Sequence, residues 1–363
     1  MHIRGERVFK RLYVCAALVL FSLYGCGVWD PTDYGVGTRY FTIIFDGNGN
    51  TSGNAPASIV RMADGSTITL PGQGSLARTN YTFGWWRTTG RYSSETADYY
   101  PGDTYSVKRS LTFYAKWIPI YTVQFDGNGV TNGVPTAVQA DSGKSITLPA
   151  ALTRPGYDFS GWSGYQAGSS YIVTNNITLD AKWTFTDSRD GKTYKTVTIG
   201  GKAWMAENLN YDTAGGSGSW CYGDADSNCV KYGRLYDWNT AMAGALSSSA
   251  NPSGVRGVCP SGWHLPSRAE WNTLVDYVGG SAGKKLKSTS GWNGTDNFGF
   301  SALPGGGRYS DGSFYLADGL HWWSATESDS SRAYIRGMGN KNDDVYEHGD
   351  VKGDAYSVRC LQN

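Results

Sequence analysis

The chain has 363 residues, with 32 Lys and Arg against 31 Asp and Glu, and a formal net charge of +1 at pH 7. This balance argues against nucleic acid as a partner, because nucleic-acid-binding proteins present a basic patch or stripe. The 49 Gly, 25 Tyr and 14 Trp instead indicate a turn-rich β protein, and the length fits two or three domains.

The first residues are typical of an export signal. A basic stretch that includes Arg4, Arg7 and Lys10 precedes an apolar run at 12–23. A helix that spans a membrane needs about twenty apolar residues, so this run is too short to favour the alternative of a permanent membrane anchor. We predict a signal peptide at 1–25.

The apolar run ends in Leu-Tyr-Gly-Cys at 23–26, which resembles the lipobox of bacterial lipoproteins. The resemblance implies that Cys26 carries lipid and that residues 26–38 form a tether. Ordinary signal-peptide cleavage is the alternative. Gly27 stands where an inner-membrane retention signal often has Asp, so by this analogy we expect a cell-envelope protein that is lipid-anchored in the outer membrane and surface-exposed.

Two copies of one repeat follow the tether, and we place them at 39–118 and 120–184. Four motifs recur in the same order. They are Phe-Asp-Gly-Asn-Gly at 45–49 and 125–129, Ile-Thr-Leu-Pro at 68–71 and 146–149, an aromatic-Gly-Trp motif at 83–85 and 159–162, and Ala-Lys-Trp at 115–117 and 181–183.

Both copies are predicted to form strands, because apolar and polar residues alternate at 41–45, 111–117, 121–125 and 177–183. Asp-Gly-Asn-Gly supplies the positive φ angles of a tight turn. A buried position in a small β core is favoured over sugar binding for three aromatic residues, Trp85, Trp86 and Trp162.

These motifs resemble the Listeria-Bacteroides repeat, also called the internalin B-repeat, a β-grasp-like module found in tandem on bacterial surface proteins. The resemblance implies a stalk of spacer or adhesion modules without catalytic activity. The first copy differs by an insertion near 90–101, which is predicted to lengthen a loop.

The sequence changes character at residue 185, and residues 185–363 are called the head below. Two short strands are predicted around Gly-Gly at 200–201, and apolar residues at helical spacing predict a helix over 235–245. Ser267 and Glu270 form the capping box of a second helix, which ends at Gly-Gly. Its predicted buried face is Trp271, Leu274, Val275 and Val278. Further strands are predicted near 298–303, 321–326, 332–338 and 356–361.

The head resembles the Fibrobacter succinogenes major paralogous domain, chiefly in the ten residues at 262–271 and in Ser-Val-Arg-Cys at 357–360. The same motifs are similar to the formylglycine-generating-enzyme branch of the C-type-lectin fold. The resemblances together imply a mainly β protein with a C-terminal α+β domain, in which two β-grasp-like repeats precede a C-type-lectin-like domain. Enzymes of that branch use two late cysteines to bind copper, whereas this region offers only Cys360, so we expect no enzymatic activity.

Cysteine usage favours two disulfides in the head. Cys15 leaves with the signal and Cys26 takes lipid, and the four others allow three pairings. Cys221 and Cys229 flank a turn-forming stretch, whereas Cys259 and Cys360 bracket the rest of the head, so bridges 221–229 and 259–360 are favoured. An oxidising compartment permits both bridges. A zinc site is the alternative, but there is no Cys-x-x-Cys pair.

No metal, cofactor or catalytic site is predicted in the head. Residues 224–228 have the alternating oxygens of a calcium loop, but Cys229 stands where such a loop needs Gly. The acidic residues at 342–354 are interpreted as a solvated hairpin, and His264 as a structural histidine. The sequence lacks the His-Glu-x-x-His motif of metalloproteases.

A binding or adhesion role is therefore the favoured function, with an enzyme of the formylglycine-generating type or a purely structural envelope protein as alternatives. The expected partners are the membrane, through the lipid anchor, and carbohydrate or another surface protein. Adjacent residues of a strand point to opposite faces, so one of Trp322 and Trp323 is predicted to be core and the other available to a ligand. The candidate ligand-binding residues are Trp220, Tyr222, Trp292, Tyr309, Trp322 and Trp323.

Overall fold

The computed structural model describes residues 38–88, 97–213, 217–315 and 319–363. The predicted signal peptide, Cys26 and all but the last residue of the tether lie outside the described residues, as does most of the insertion predicted near 90–101. The described residues form two compact units, which divide between Ile120 and Tyr121. The prediction of a mainly β protein is confirmed.

The first unit contains the first repeat. β1 pairs antiparallel with β2 and parallel with the start of β7, while β4 pairs antiparallel with β5 and β7, and β3 pairs with β6. Trp86, Phe113 and Ile43 are fully buried in its core. The strands are β1 Tyr40–Asp46, β2 Ile59–Ala63, β3 Thr67–Thr69, β4 Tyr81–Thr88, β5 Asp98–Tyr99, β6 Thr104–Ser106 and β7 Leu111–Asp126, whose last residues belong to the second unit.

The second repeat opens the second unit. β12 pairs in parallel with the end of β7 and antiparallel with β10, which repeats the arrangement of β1, β4 and β7 in the first unit. Its core includes Trp162, Val123 and Leu179, all 0% exposed. The further strands are β8 Val138–Asp141, β9 Ser145–Thr147, β10 Asp158–Trp162, β11 Ser170–Ile172 and β12 Ile177–Thr186.

The recurring motifs of the two repeats are joined by matched hydrogen bonds. In each repeat a buried Trp, on β4 or on β10, donates its Nε1–H to the carbonyl of the Pro that ends Ile-Thr-Leu-Pro. The Trp of Ala-Lys-Trp donates to the carbonyl of the first Gly of Asp-Gly-Asn-Gly. Trp86, one residue beyond the motif matched in the sequence, is the counterpart of Trp162. The donor-to-acceptor distances are Trp86 to Pro71 2.8 Å, Trp162 to Pro149 3.2 Å, Trp117 to Gly47 2.9 Å and Trp183 to Gly127 3.0 Å.

The turn between the first two strands of each repeat has the predicted backbone. Asn48 and Asn128 both have a φ of 46°, and the following Gly49 and Gly129 also have positive φ. The buried interpretation is confirmed for Trp86 and Trp162, which are 0% exposed, whereas Trp85 is half-buried.

The head is built on short strands, with four α-helices and one 3-10 helix, Tyr222–Asp224, in its described residues. The strands are β13 Thr193–Ile199, β14 Lys202–Met205, β15 Ser219–Trp220, β16 Leu235–Asp237, β17 Trp263–His264, β18 Gly307–Arg308, β19 Phe314–Tyr315, β20 Gly319–Glu327, β21 Arg332–Gly339, β22 Tyr346–Val351, β23 Ala355–Ser357 and β24 Leu361–Gln362. The helices are α1 Asp226–Tyr232, α2 Trp238–Met242, α3 Arg268–Val278 and α4 Ala282–Leu286.

Two sheets organise the head. The first runs in the order β17, β24, β14, β13 and continues into β12 of the second repeat. The second runs in the order β15, β16, β23, β20, β21, β22, with β18 and β19 attached at β23. β20 is buried from Gly319 to Thr326, because Trp323 on one face enters one hydrophobic core and Trp322 on the other face enters a second.

Helix α3 follows the sequence prediction closely. Ser267 and Glu270 form both hydrogen bonds of the capping box, and Trp271, Leu274 and Val278 are buried. The Gly-Gly hairpin is also confirmed, since β13 and β14 flank residues 200–201. Both predicted disulfides, Cys221–Cys229 and Cys259–Cys360, are present.

Three element predictions in the head are wrong in part or in full. The helix predicted over 235–245 begins only at Trp238, because Leu235–Asp237 is a strand and Asp237 caps the helix by accepting a hydrogen bond from the Thr240 amide. Residues 298–303 make one isolated bridge in place of a strand. The last predicted strand is divided into β23 and β24. None of the helices in the described ranges is both long and apolar enough to cross a membrane.

Candidate binding surfaces of the head

Trp322 and Trp323 offer no surface to a ligand. Both are 0% exposed, although they point to opposite faces of β20 as predicted. Trp322 donates its Nε1–H to Oδ1 of Asn208 over 2.8 Å, and Trp323 donates to the carbonyl of Tyr236 over 2.7 Å. The prediction that one of the pair is available is wrong, because packed side chains cover both faces of this strand.

Trp292 lies apart from the other candidates. It is half-buried against the core that holds Trp322, and the ammonium of the buried Lys287 lies 5.4 Å from its ring centroid. Lys287 donates to the carbonyls of Gly339 and Asn342 over 3.0 and 2.7 Å. The indole therefore covers a structural lysine.

The other three candidates gather around one hairpin, residues 307–315, which we call the aromatic hairpin. It consists of β18 and β19, with Arg308 opposite Phe314 and Gly307 opposite Tyr315. Because side chains alternate along a strand, Phe314 and Tyr315 face opposite sides of the hairpin. Each side carries its own aromatic group.

The first side carries the Trp220–Arg308 site, which we define as Trp220, Tyr222, Arg308 and Phe314. Cζ of Arg308 lies 4.3 Å from the Trp220 ring centroid and 5.9 Å from that of Phe314. Tyr222 packs edge-on against Phe314 with centroids 5.3 Å apart. Glycine is needed at position 306 beside this contact, because a Cβ on residue 306 would lie 2.3 Å from the Tyr222 ring.

The other side carries a larger group, which we call the tyrosine–histidine cluster. Tyr309 is 44% exposed and stacks on Tyr315 with ring centroids 4.0 Å apart. The hydroxyls of Tyr315 and Tyr356 are hydrogen-bonded, and Tyr356 donates to Oδ2 of Asp350 over 2.6 Å. The whole cluster comprises Tyr309, Tyr315, His321, Tyr346, His348, Asp350 and Tyr356.

The histidines extend this cluster across three strands. His321, Gly337 and Tyr346 lie side by side on β20, β21 and β22, and Nε2 of His321 lies 2.8 Å from the Tyr346 hydroxyl. Nε2 of His348 lies 3.3 Å from Oδ2 of Asp350. Gly337 leaves room for both rings, since a Cβ there would lie 2.3 Å from Tyr346 and 2.8 Å from His321.

Burial sets the protonation states within the cluster. It raises the pKa of Tyr315 and of Tyr356, whose hydroxyls therefore stay protonated near neutral pH. Burial is also the main cause that lowers the pKa of His321 from 6.5 to about 4, and the neighbouring His348 adds to this effect. Near neutral pH the inner part of the cluster thus presents neutral hydroxyl and imidazole groups beside Asp350.

Acid is expected to destabilise the head through His321. Because its pKa falls from 6.5 in the unfolded chain to about 4 in the fold, the unfolded state binds the additional proton between these values. The free energy of unfolding should therefore fall as the pH is lowered through this window, by about 3 kcal/mol in all. Urea unfolding at several pH values measures the slope.

His321→Gln is the matched control for this pH dependence, because Gln keeps a polar partner for Tyr346 without titrating. The groups that face His321 are Tyr346 and His348 from β22, Tyr356 from β23, Tyr315 from β19 and, through its charge, Asp350. The variant should lose most of the slope between pH 6.5 and 4. An unchanged slope would assign the acid sensitivity to another group.

The buried pair His264 and Glu270 is structural, as interpreted from the sequence. Nε2 of His264 lies 2.8 Å from Oε1 of Glu270, and Nδ1 lies 2.8 Å from Oδ1 of Asn363. Oε2 of Glu270 accepts the backbone N–H groups of Ser253 and Ser267. The part of the chain that the structure describes contains no group of three or more His, Cys, Asp or Glu side chains placed to hold a metal ion.

Most members of the cluster were not recognised in the sequence. Tyr346, His348 and Asp350 alternate along β22 and share a face, which was the available signal. The acidic run around them was interpreted as a solvated hairpin, and that interpretation is correct for the exposed Asp343 and Asp344. It is wrong for Asp354, which is 6% exposed and accepts the Ser310 amide.

Comparison with known proteins agrees with this organisation. The family model of the Fibrobacter succinogenes major domain matches residues 197–362. The model of the Listeria-Bacteroides repeat domain matches residues 41–116 and 121–182. The resemblances to these two families, inferred from the motifs, are confirmed.

Two proteins of Evansella cellulosilytica are similar to part of the chain. One, with the provisional name Gly-rich membrane protein, is 32% identical over 45% of this chain and 19% of its own length. The other, provisionally named membrane protein, is 29% identical over 48% of this chain and 25% of its own length. The chain thus spans a quarter or less of these relatives.

Among solved structures, Streptococcal High Identity Repeats in Tandem (SHIRT) domains 3-4 from a cell surface protein are 12% identical. The match covers 40% of this chain and 98% of that chain, with a TM-score of 0.15. A score this low supports no argument about fold or function.

Proposed function

We propose that this protein is an envelope-associated adhesion protein in which the two repeats form a stalk and the head binds carbohydrate without a metal ion. The tyrosine–histidine cluster carries this proposal. Tyr309 exposes its ring while stacking and hydrogen bonds hold Tyr315, Tyr356 and Asp350 beneath it. A ligand would therefore meet a preformed surface, which lowers the entropy cost of binding.

The repeats and the relatives support the envelope location. Residues 41–116 and 121–182 match a repeat family that is found in tandem on bacterial surface proteins. Both Evansella relatives have names that place them in a membrane. Lipid on Cys26 and an outer-membrane position complete this part of the proposal.

The chemistry of the head supports binding over catalysis. Cys360 is bonded to Cys259 and both are 0% exposed, so neither thiol is free for a copper site of the formylglycine-generating type. His264 and Glu270 are 3% exposed, and their hydrogen bonds hold the start of α3.

Binding of the mature chain to a glycan array tests the proposal. Tyr309→Ala should reduce the signal for bound glycans by about tenfold, because it removes the exposed stacking ring. Tyr277→Ala is the matched control, since Tyr277 is 60% exposed on α3 and lies outside the cluster. The signal should also survive a chelator.

Three outcomes would refute the proposal. Loss of binding in chelator would show a metal-dependent site, and equal binding by the Tyr309→Ala variant would exclude the cluster. Absence of glycan binding by the wild type, with binding to a purified surface protein, would replace carbohydrate by protein as the ligand.

A further inference from the structure

Two arginines of the head share a local arrangement in which a guanidinium lies over an aromatic ring and also pairs with a carboxylate. Cζ of Arg189 lies 3.8 Å from the Tyr211 ring centroid, and Nη2 lies 2.6 Å from Oδ2 of Asp187. Arg268 repeats the arrangement: it lies 4.3 Å from the Tyr334 ring, and its Nη2 lies 2.6 Å from a carboxylate oxygen of Glu347. In each case a ring orients the cation and a carboxylate neutralises it.

Arg308 has the ring without the carboxylate. It lies 4.3 Å from the Trp220 ring centroid, and within the described ranges no Asp or Glu lies within ion-pair distance of it. Its hydrogen bond is from Nη1 to the carbonyl of Tyr309 over 3.4 Å, and its Nε is buried without a partner. Asp311, the acidic residue of the hairpin, interacts with Arg308 only through its charge, and its carboxylate accepts the amide and hydroxyl of Ser313 over 2.9 and 2.7 Å.

The elements around Arg308 fix its position before a ligand arrives. Trp220 precedes Cys221, which the disulfide joins to Cys229 at α1. Phe314 faces Arg308 across the hairpin, and the backbone of Arg308 also pairs with Ala355 of β23. The cation is thus preorganised between two rings, and such a cation is a receptor for an anion.

We propose that the Trp220–Arg308 site binds the carboxylate group of an acidic polysaccharide. The planar guanidinium can donate two parallel hydrogen bonds to a carboxylate. The ligand would then supply to Arg308 the carboxylate that Asp187 supplies to Arg189 and Glu347 supplies to Arg268. The flanking rings provide apolar faces against which the C–H groups of a sugar ring pack. This inference goes beyond the proposed function, because the site lies on the opposite side of the aromatic hairpin from the tyrosine–histidine cluster.

The experiment measures the affinity of the mature chain for polygalacturonate, for its methyl ester, and for dextran sulfate, at low and at physiological ionic strength. Polygalacturonate should bind, and esterification should weaken binding by about tenfold or more because it removes the charge while keeping the sugar. Arg308→Gln should cause a similar loss and Arg308→Lys a smaller one, since Lys keeps the charge without the planar fork. Trp220→Ala should also weaken binding.

Arg332→Gln is the matched control, because Arg332 is an exposed arginine of the head and its loss changes the net charge equally. Thermal unfolding of each variant checks the fold. Equal affinity for the ester and the acid, equal losses in Arg308→Gln and Arg332→Gln, or a preference for dextran sulfate would each overturn the proposal. Retained polygalacturonate binding in Tyr309→Ala separates this site from the tyrosine–histidine cluster.

Discussion

Trp322→Ala and Trp323→Ala are each expected to lower the free energy of unfolding of the head by about 3 to 5 kcal/mol. Both indoles are 0% exposed, so each truncation opens a cavity in a different core. Each also removes a buried hydrogen bond, either the one to Oδ1 of Asn208, which keeps Arg359 as a second donor, or the one to the carbonyl of Tyr236. Urea unfolding followed by far-ultraviolet circular dichroism measures the loss.

Trp292→Ala is the comparison for these two variants, because Trp292 is half-buried and its Nε1 has no hydrogen-bond partner. Trp292→Ala should lower the free energy of unfolding clearly less than Trp322→Ala or Trp323→Ala does. If Trp322→Ala or Trp323→Ala left the stability of the head unchanged, that face of β20 would be open to solvent and the original expectation of an exposed tryptophan would return.

The repeats could be predicted from the sequence because their recurring residues contact one another. Trp117 and Trp183 each bond to the first Gly of the turn that recurs with them, and the Asn of that turn adopts positive φ in both copies. Because both copies form the same contacts, the same residues recur in them at similar spacing. The motifs, the strands and the turn were therefore visible together.

The head was less predictable where distant strands decide local structure. Leu235 lies at helical spacing from later apolar residues, yet it and Tyr236 pair with Ser357 and Tyr356 of β23. The spacing of apolar residues along a short segment carries no information about a strand that pairs with it from a distant part of the chain. α3 was predictable because its capping residues, Ser267 and Glu270, lie three positions apart.

The candidate surfaces depended on the same long-range pairing. Tyr309 was selected as an aromatic residue of the head, but its surroundings require β18 to pair with β23 and β22 to pair with β21. The choice of Trp322 and Trp323 assumed that a strand has one exposed face. β20 lies between β23 and β21 with a core on each side, so alternation alone could not show exposure.

The two disulfides are expected to differ in how much they stabilise the head. Cys259–Cys360 joins residues 101 positions apart, whereas Cys221–Cys229 joins residues 8 apart. In the chain-entropy model the longer loop removes more freedom from the unfolded state, and the difference between these loop lengths is about 2 kcal/mol at 25 °C. The native packing of the two bridges is similar, since all four cysteines are buried.

The double variant Cys259→Ala/Cys360→Ala should therefore melt at a lower temperature than Cys221→Ala/Cys229→Ala. Ala fits the space of a buried Cys with little loss of packing, so the comparison isolates the cross-link. Thermal unfolding of both variants and of the wild type without reductant gives the order, and adding reductant should lower the melting temperature of the wild type at least to that of the Cys259→Ala/Cys360→Ala variant. Equal melting temperatures for the two double variants would mean that the unfolded chain already keeps residues 259 and 360 close together, so that closing the long loop removes little entropy.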